Sequence, residues 1–257
     1  MTQLSKRIMM LFIASLFLTF PLQAEDNNVY YQGGIIRTDP NQKRITLVFT
    51  AADKCDGAEP IMKTLRKNHI QGAFFLTGHF FHRFPDVVKK LVDKGHYVGS
   101  HSYGHLLYFP WGQPDTMSVT RDEFIADMEK SYEELGKYGI TKQSNPYFIP
   151  PYEHYNQTVS DWAKEMGLQI INYTPGTASA ADYTTPSMKN YRSSDSIYNT
   201  IIDKEEKDGL NGFLLIFHMG TVPERTDKFY AKHLPKLIKD LRKRGYKFTP
   251  LKEAIEK

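Results

Sequence analysis

Two histidines four residues apart follow a short apolar run in Val98-Gly-Ser-His-Ser-Tyr-Gly-His105. If the chain turns helical after that run, residues at this spacing share a face, and His101 and His105 can hold one metal ion. Asp53, closing Thr50-Ala-Ala-Asp53, can add a carboxylate oxygen from a neighbouring loop. Two histidines, one carboxylate and an open position make a hydrolytic, zinc-type arrangement. Such an ion polarises a carbonyl and acidifies bound water. Other groups able to bind metal or move a proton stand in Pro150-Pro-Tyr152, in Tyr173-Thr-Pro-Gly-Thr177 and in Phe217-His218. His79 and His82 read as loop or helix-start residues. Cys55 reads as an inert, buried thiol.

These residues all stand at the ends of strand-like runs. The runs cover 45–50, 72–77, 97–102, 147–150, 168–173, 212–218 and 246–250, and several are almost wholly apolar, as strands buried on both faces are. Between them lie helical patterns over 58–69, 85–94, 120–139, 156–166, 194–207 and 229–244. The third opens on a capping box, Thr120-Arg-Asp-Glu123, and the last three stop near Gly167, Gly209 and Gly245. Strand and helix alternating about seven times predict a parallel sheet. No dinucleotide glycine motif follows the first strand, so a closed barrel is expected, with chemistry at the C-terminal strand ends. Residues 30–37 predict an extra hairpin ahead of the first core strand.

The start of the chain reads as a secretory signal peptide over residues 1–24. Lys6 and Arg7 precede a 13-residue apolar run, and Leu22-Gln-Ala24 supplies a small-residue cleavage site. The run falls short of the ~20 residues a span needs. The expectation is export to a periplasm or beyond, with no membrane span after cleavage and one domain over 25–257. Removing Lys6 and Arg7 takes the formal net charge from +4 to +2, too little to argue for nucleic acid. One cysteine excludes an internal disulfide, so a packed core must hold the fold.

Taken together, these motifs resemble the polysaccharide deacetylases of carbohydrate esterase family 4, the NodB-homology family. The family's H-[ST]-x-x-H stands intact as His101 to His105. Its T-F-F-[LV]-x-G strand is matched by Ala73-Phe-Phe-Leu-Thr-Gly78, its R-P-P-Y in part by Ile149-Pro-Pro-Tyr152, and its late L-x-H by Ile216-Phe-His218. The resemblance runs over roughly residues 43 to 251. It implies a distorted, TIM-like (β/α)7 barrel that removes N- or O-acetyl groups from a polysaccharide or oligosaccharide. It also implies a divalent ion, zinc first with cobalt or nickel as alternatives, on Asp53, His101 and His105. His218 would be the general acid, and the backbone N–H of Tyr152 would help hold the oxyanion.

The family's T-F-D-D reads Thr50-Ala-Ala-Asp53 here, so Ala52 stands where the resemblance places the general base. A methyl group accepts no proton, and losing a base costs on the order of 10²–10⁴ in rate. Ile149 replaces the arginine that orients that base. Asp56 is the nearest substitute carboxylate, although Asp56-Gly57 is also a common turn pair. Glu153 is another substitute, and an alternative register would make Asp56 the metal ligand. Three readings stay open: a deacetylase with a rebuilt site, a catalytically impaired metal-binding glycan-recognition protein, or a metal-assisted amidase on small substrates. Tyr103, Tyr108, Phe109 and Trp111 are candidates for stacking on sugar rings, and the polar loop 172–183 for facing substrate.

Overall fold

The computed structural model describes residues 26–256, so the expected signal peptide lies outside the described residues. The described chain opens on an antiparallel hairpin, β1 (Val29–Tyr31) and β2 (Gly34–Arg37), turned at Gln32 and Gly33. The central strand β3 (Arg44–Ala51) pairs in parallel with β4 (Ala73–Leu76) on one side and β8 (Phe213–His218) on the other. β5 (Tyr97–Ser100), β6 (Tyr147–Phe148) and β7 (Gln169–Ile170) extend the sheet beyond β4. β9 (Lys247–Phe248) pairs with the first two residues of β3. All seven predicted core strands are present and the sheet is parallel throughout. Its outer strands are shorter than the sequence runs suggested.

Strand alternation separates two cores. Ile45, Leu47 and Phe49 of β3 join the layer packed under α1 (Ala58–Lys67) and α7 (Phe229–Lys243). Val48 of the same strand faces inward, with Phe75, Tyr97, Leu214 and Ile216. Each such side chain, fully buried, contributes roughly 1.5–3 kcal/mol. The rest of the outer layer comes from α3 (Pro85–Asp93), α4 (Arg121–Gly136), α5 (Gln157–Glu165) and α6 (Ser194–Asp208). α4 carries the predicted capping box in full. Two six-residue helices were not predicted, α2 (Gly78–Arg83) and α8 (Leu251–Glu256); Leu251 of the latter enters the inner core.

The barrel closes through the hairpin. β7 and β8 are not paired with each other, and β2 lies across the gap between them. Ile35 bridges Ile171, the Asn172 N–H donates to the Ile35 carbonyl at 2.8 Å, and the Thr38 N–H donates to the Gly212 carbonyl at 2.8 Å. Thr174 completes the seam: its N–H donates to the Leu214 carbonyl at 3.1 Å and its hydroxyl to the Ile36 carbonyl at 2.6 Å. The fold is a distorted α/β barrel. Among the described residues no helix is long and apolar enough to cross a membrane.

Candidate active site

The same alternation that fills the barrel delivers side chains to its C-terminal mouth. On β5, Tyr97 and Gly99 point inward, and His101 is the next inward position. His101 is only 3% exposed. Its Nδ1 lies 2.9 Å from the Ile149 carbonyl oxygen. A carbonyl only accepts, so Nδ1 carries the proton and the Nε2 lone pair is left for the cavity.

The chain does not turn helical between the two histidines. Ser102 and His105 take left-handed backbone angles, with φ of 63° and 54°. Asp127, on α4, accepts the Tyr103 N–H at 2.9 Å and the Gly104 N–H at 2.7 Å. Ser102 Oγ accepts the His105 N–H at 2.9 Å. This tight loop brings the two rings to 4.9 Å between centroids, at 67°. Burial, reinforced by neighbouring imidazoles, holds His101 well below the usual histidine range and pulls His105 down to about 4. Both are therefore neutral donors at physiological pH.

Asp53 borders the same cavity, but its carboxylate is half exposed, 3.2 Å from Lys54 Nζ and 3.9 Å from Arg83. Among the described residues no three His, Cys, Asp or Glu side chains converge as a ligand set. The two imidazoles fit a divalent cation, being neutral, desolvated and adjacent; a third donor from Asp53 requires that carboxylate to leave Lys54. The Ala52 methyl lies on the cavity wall, and the Ala52 carbonyl accepts the Thr77 hydroxyl at 2.5 Å.

His218 ends β8 on its inward side. Asp182, 3% exposed, accepts His218 Nδ1–H at 2.7 Å and the His218 backbone N–H at 3.0 and 3.1 Å. Burial alone would lower the His218 pKa; the Asp182 carboxylate, with Glu153 behind it, outweighs burial and raises it. Asp182 thus strengthens the hold of His218 on a proton and fixes its ring through Nδ1. Opposite it, Tyr152 and Glu153 follow two prolines and both sit at positive φ, 60° and 53°. The Tyr152 ring packs edge-on against His105 at 4.4 Å. Burial and the nearby Asp182 raise the Glu153 pKa, while His218 opposes the rise.

His101, His105, Asp53, Tyr152, Glu153 and His218 share one cavity of about 380 Å³. Asp56 does not join them. Its carboxylate accepts the Thr221 N–H at 2.8 Å and the Tyr230 hydroxyl at 2.6 Å, and pairs with Lys228 at 3.0 Å. It braces the loop after β8, beside a neighbouring cavity. Of the aromatic cluster, Tyr108 and Phe109 are core residues, whereas Trp111 is 62% exposed and lines the cavity mouth, its ring 4.2 Å from that of His154. Burial raises the Cys55 pKa, which keeps it a thiol.

Sequence reasoning missed Asp127 and Asp182. A signal existed for Asp127: an acidic residue on the helix face that also carries Phe124, Met128 and Ser131, all buried. Asp182 lies in the loop already marked as substrate-facing, but nothing in the sequence pairs it with a histidine 36 residues later.

Comparison with known proteins agrees with this fold. The family model for polysaccharide deacetylases matches residues 37–171. The peptidoglycan-N-acetylmuramic acid deacetylase PdaA of Bacillus subtilis is 26% identical over 232 residues, covering 90% of this chain and 76% of PdaA. The structure of B. subtilis PdaA, a family 4 carbohydrate esterase, superposes with a TM-score of 0.67 at 24% identity, covering 87% of this chain and 85% of the other. BA3943, a family 4 pseudoenzyme from Bacillus anthracis, has the same fold, with a TM-score of 0.67, 21% identity and coverages of 88% and 70%. The chain belongs to the polysaccharide deacetylase family.

Proposed function

We propose that this protein is an exported, metal-dependent hydrolase that removes N- or O-acetyl groups from an acetylated polysaccharide. The observation that carries the reading is His218, hydrogen-bonded to the buried Asp182 carboxylate, on the same cavity as the His101–His105 pair. His101, His105 and Asp53 would hold the divalent ion, with zinc the first candidate and cobalt or nickel the alternatives. When bound, that ion polarises the acetyl carbonyl and acidifies water. His218 gives its proton to the departing nitrogen or oxygen, so the leaving group is an amine or alcohol and not its anion. Tyr152 offers its backbone N–H to the developing oxyanion. Trp111, Tyr152 and Tyr183, exposed around the mouth, give sugar rings faces to stack on. PdaA is a peptidoglycan deacetylase, which makes cell-wall glycan the first substrate to try.

A second reading keeps metal and glycan binding without turnover. Ala52 favours it, and so does the engagement of Asp53 by Lys54. One experiment separates the two: acetate release from peptidoglycan and N-acetylglucosamine oligomers by zinc- or cobalt-loaded protein, wild type beside Ala52→Asp. Acetate from wild type supports the hydrolase. Acetate only from Ala52→Asp, with glycan binding by wild type, supports the binding protein. Acetate from neither, in protein whose metal content is verified, counts against both.

A further inference from the structure

The cavity wall carries two carboxylates once Ala52 is discounted. Asp53 is engaged by Lys54 and Arg83. Glu153 is different. It sits at φ 53°, directly after Tyr152 at φ 60°. Two consecutive non-glycine residues in the left-handed region are a costly arrangement, at a place where glycine would be free. Strain of this kind persists where the side chain is needed. The chain around Glu153 is pinned: its carbonyl accepts the Asn172 amide at 2.8 Å, and its N–H donates to Pro150 at 3.0 Å. Its carboxylate, by contrast, has no donor among the described residues and borders the cavity.

A second, independent observation points to a small polar ligand in the same place. Thr50 is an inward position of β3, 1% exposed, on the cavity floor. Its Oγ1 has no hydrogen-bond partner. A buried hydroxyl left unsatisfied is costly, and a water in the cavity is the simplest partner for it.

Resting on the deacetylase reading, we propose that Glu153 is the general base of this protein and takes its proton from water held between Thr50 and Glu153. The water oxygen forms a bond to the acetyl carbonyl carbon as one water proton moves to the Glu153 carboxylate. The carbonyl electron pair moves onto oxygen. When that pair returns, the bond to the sugar nitrogen or oxygen breaks, and the leaving atom takes the His218 proton. Proton transfer from Glu153 back to His218 through solvent restores both; the products are the free amine or alcohol and acetic acid, which releases its proton to solvent as acetate. The raised pKa of Glu153 makes it a stronger base than an ordinary carboxylate.

The test uses Glu153→Gln, Glu153→Gly and the double variant Ala52→Asp/Glu153→Gln on metal-loaded protein. Glu153→Gln is expected to lower kcat by about 10²–10⁴-fold with KM little changed. Ala52→Asp in that background is expected to recover at least about tenfold, as a base supplied from the other wall would. Glu153→Gly is expected to lose activity while raising Tm by about 2 °C, by release of backbone strain. Wild-type turnover with Glu153→Gln within threefold overturns the assignment and leaves the deacetylase standing. An inactive Glu153→Gln that Ala52→Asp does not rescue overturns it as well, since Glu153 then shapes the site without acting as base. A fall in Tm for Glu153→Gly removes the strain argument. No acetate from wild type overturns this assignment and the deacetylase reading together.

Discussion

Asp182 governs what His218 can do. It fixes the imidazole through Nδ1 and raises its affinity for a proton, with Glu153 helping and Arg225 opposing. A general acid must be protonated, so activity should persist until the pH rises through this raised pKa. Asp182→Asn lowers that pKa, so the basic limb of the kcat profile should move to lower pH, with kcat down on the order of 10²-fold. An unshifted limb would show that another group donates the proton. His101, His105, Asp53, Tyr152 and His218 were legible in the sequence because each closes a strand run, and strand ends meet at one mouth of a barrel. Asp127 and Asp182 were not, because a helix and a long loop deliver them, and neither obeys a short-range spacing. Asp56 was legible as a carboxylate but not as a brace, since its partners Thr221, Lys228 and Tyr230 lie far along the chain.

Elements hold the site by reaching across it. The loop between His101 and His105 has no ladder of its own; α4 supplies its anchor through Asp127. Removing that carboxylate strands two backbone donors, at a cost of roughly 1–3 kcal/mol. Asp127→Ala should therefore lower stability to denaturant and weaken zinc binding by about 10–100-fold, measured by competition with a chelating dye. Full metal affinity in a destabilised Asp127→Ala would mean that the loop keeps its shape unaided. The seven strands were readable from apolar runs, and the long helices from periodicity and caps. Six-residue helices such as α2 and α8 show less than two turns of pattern. The helical turn expected after β5 failed because Ser102 and His105 adopt positive φ, a choice made by the serine and aspartate bonds around them.

Across the whole molecule, acid is the predicted stress. The His96 ring accepts the Gly72 N–H at 3.2 Å and packs on Phe74 at 5.1 Å. Burial, with Lys94 nearby, lowers its pKa to about 4. The unfolded chain binds the proton at an ordinary histidine pKa, so between about 6.5 and about 4 it holds more protons than the fold does, and stability falls as pH falls. His101 and His105 are depressed in the same direction. Tm should drop through this window. His96→Gln, whose amide oxygen can still accept from Gly72, should make the drop shallower; equal slopes would assign the acid sensitivity elsewhere.

The seam closed by β2 has a kinetic consequence. Its partners lie 138 residues away at Thr174 and 174 residues away at Gly212. Closing loops of that length is entropically unfavourable until most native contacts exist to offset it. The β1–β2 hairpin, made early, is then the last to dock, its seam edge waiting until Gly212 has been made. Because Thr174 is sewn into that same seam, the segment leading from it to Asp182 settles only with the final stitch, so catalytic competence should appear after bulk compaction during refolding.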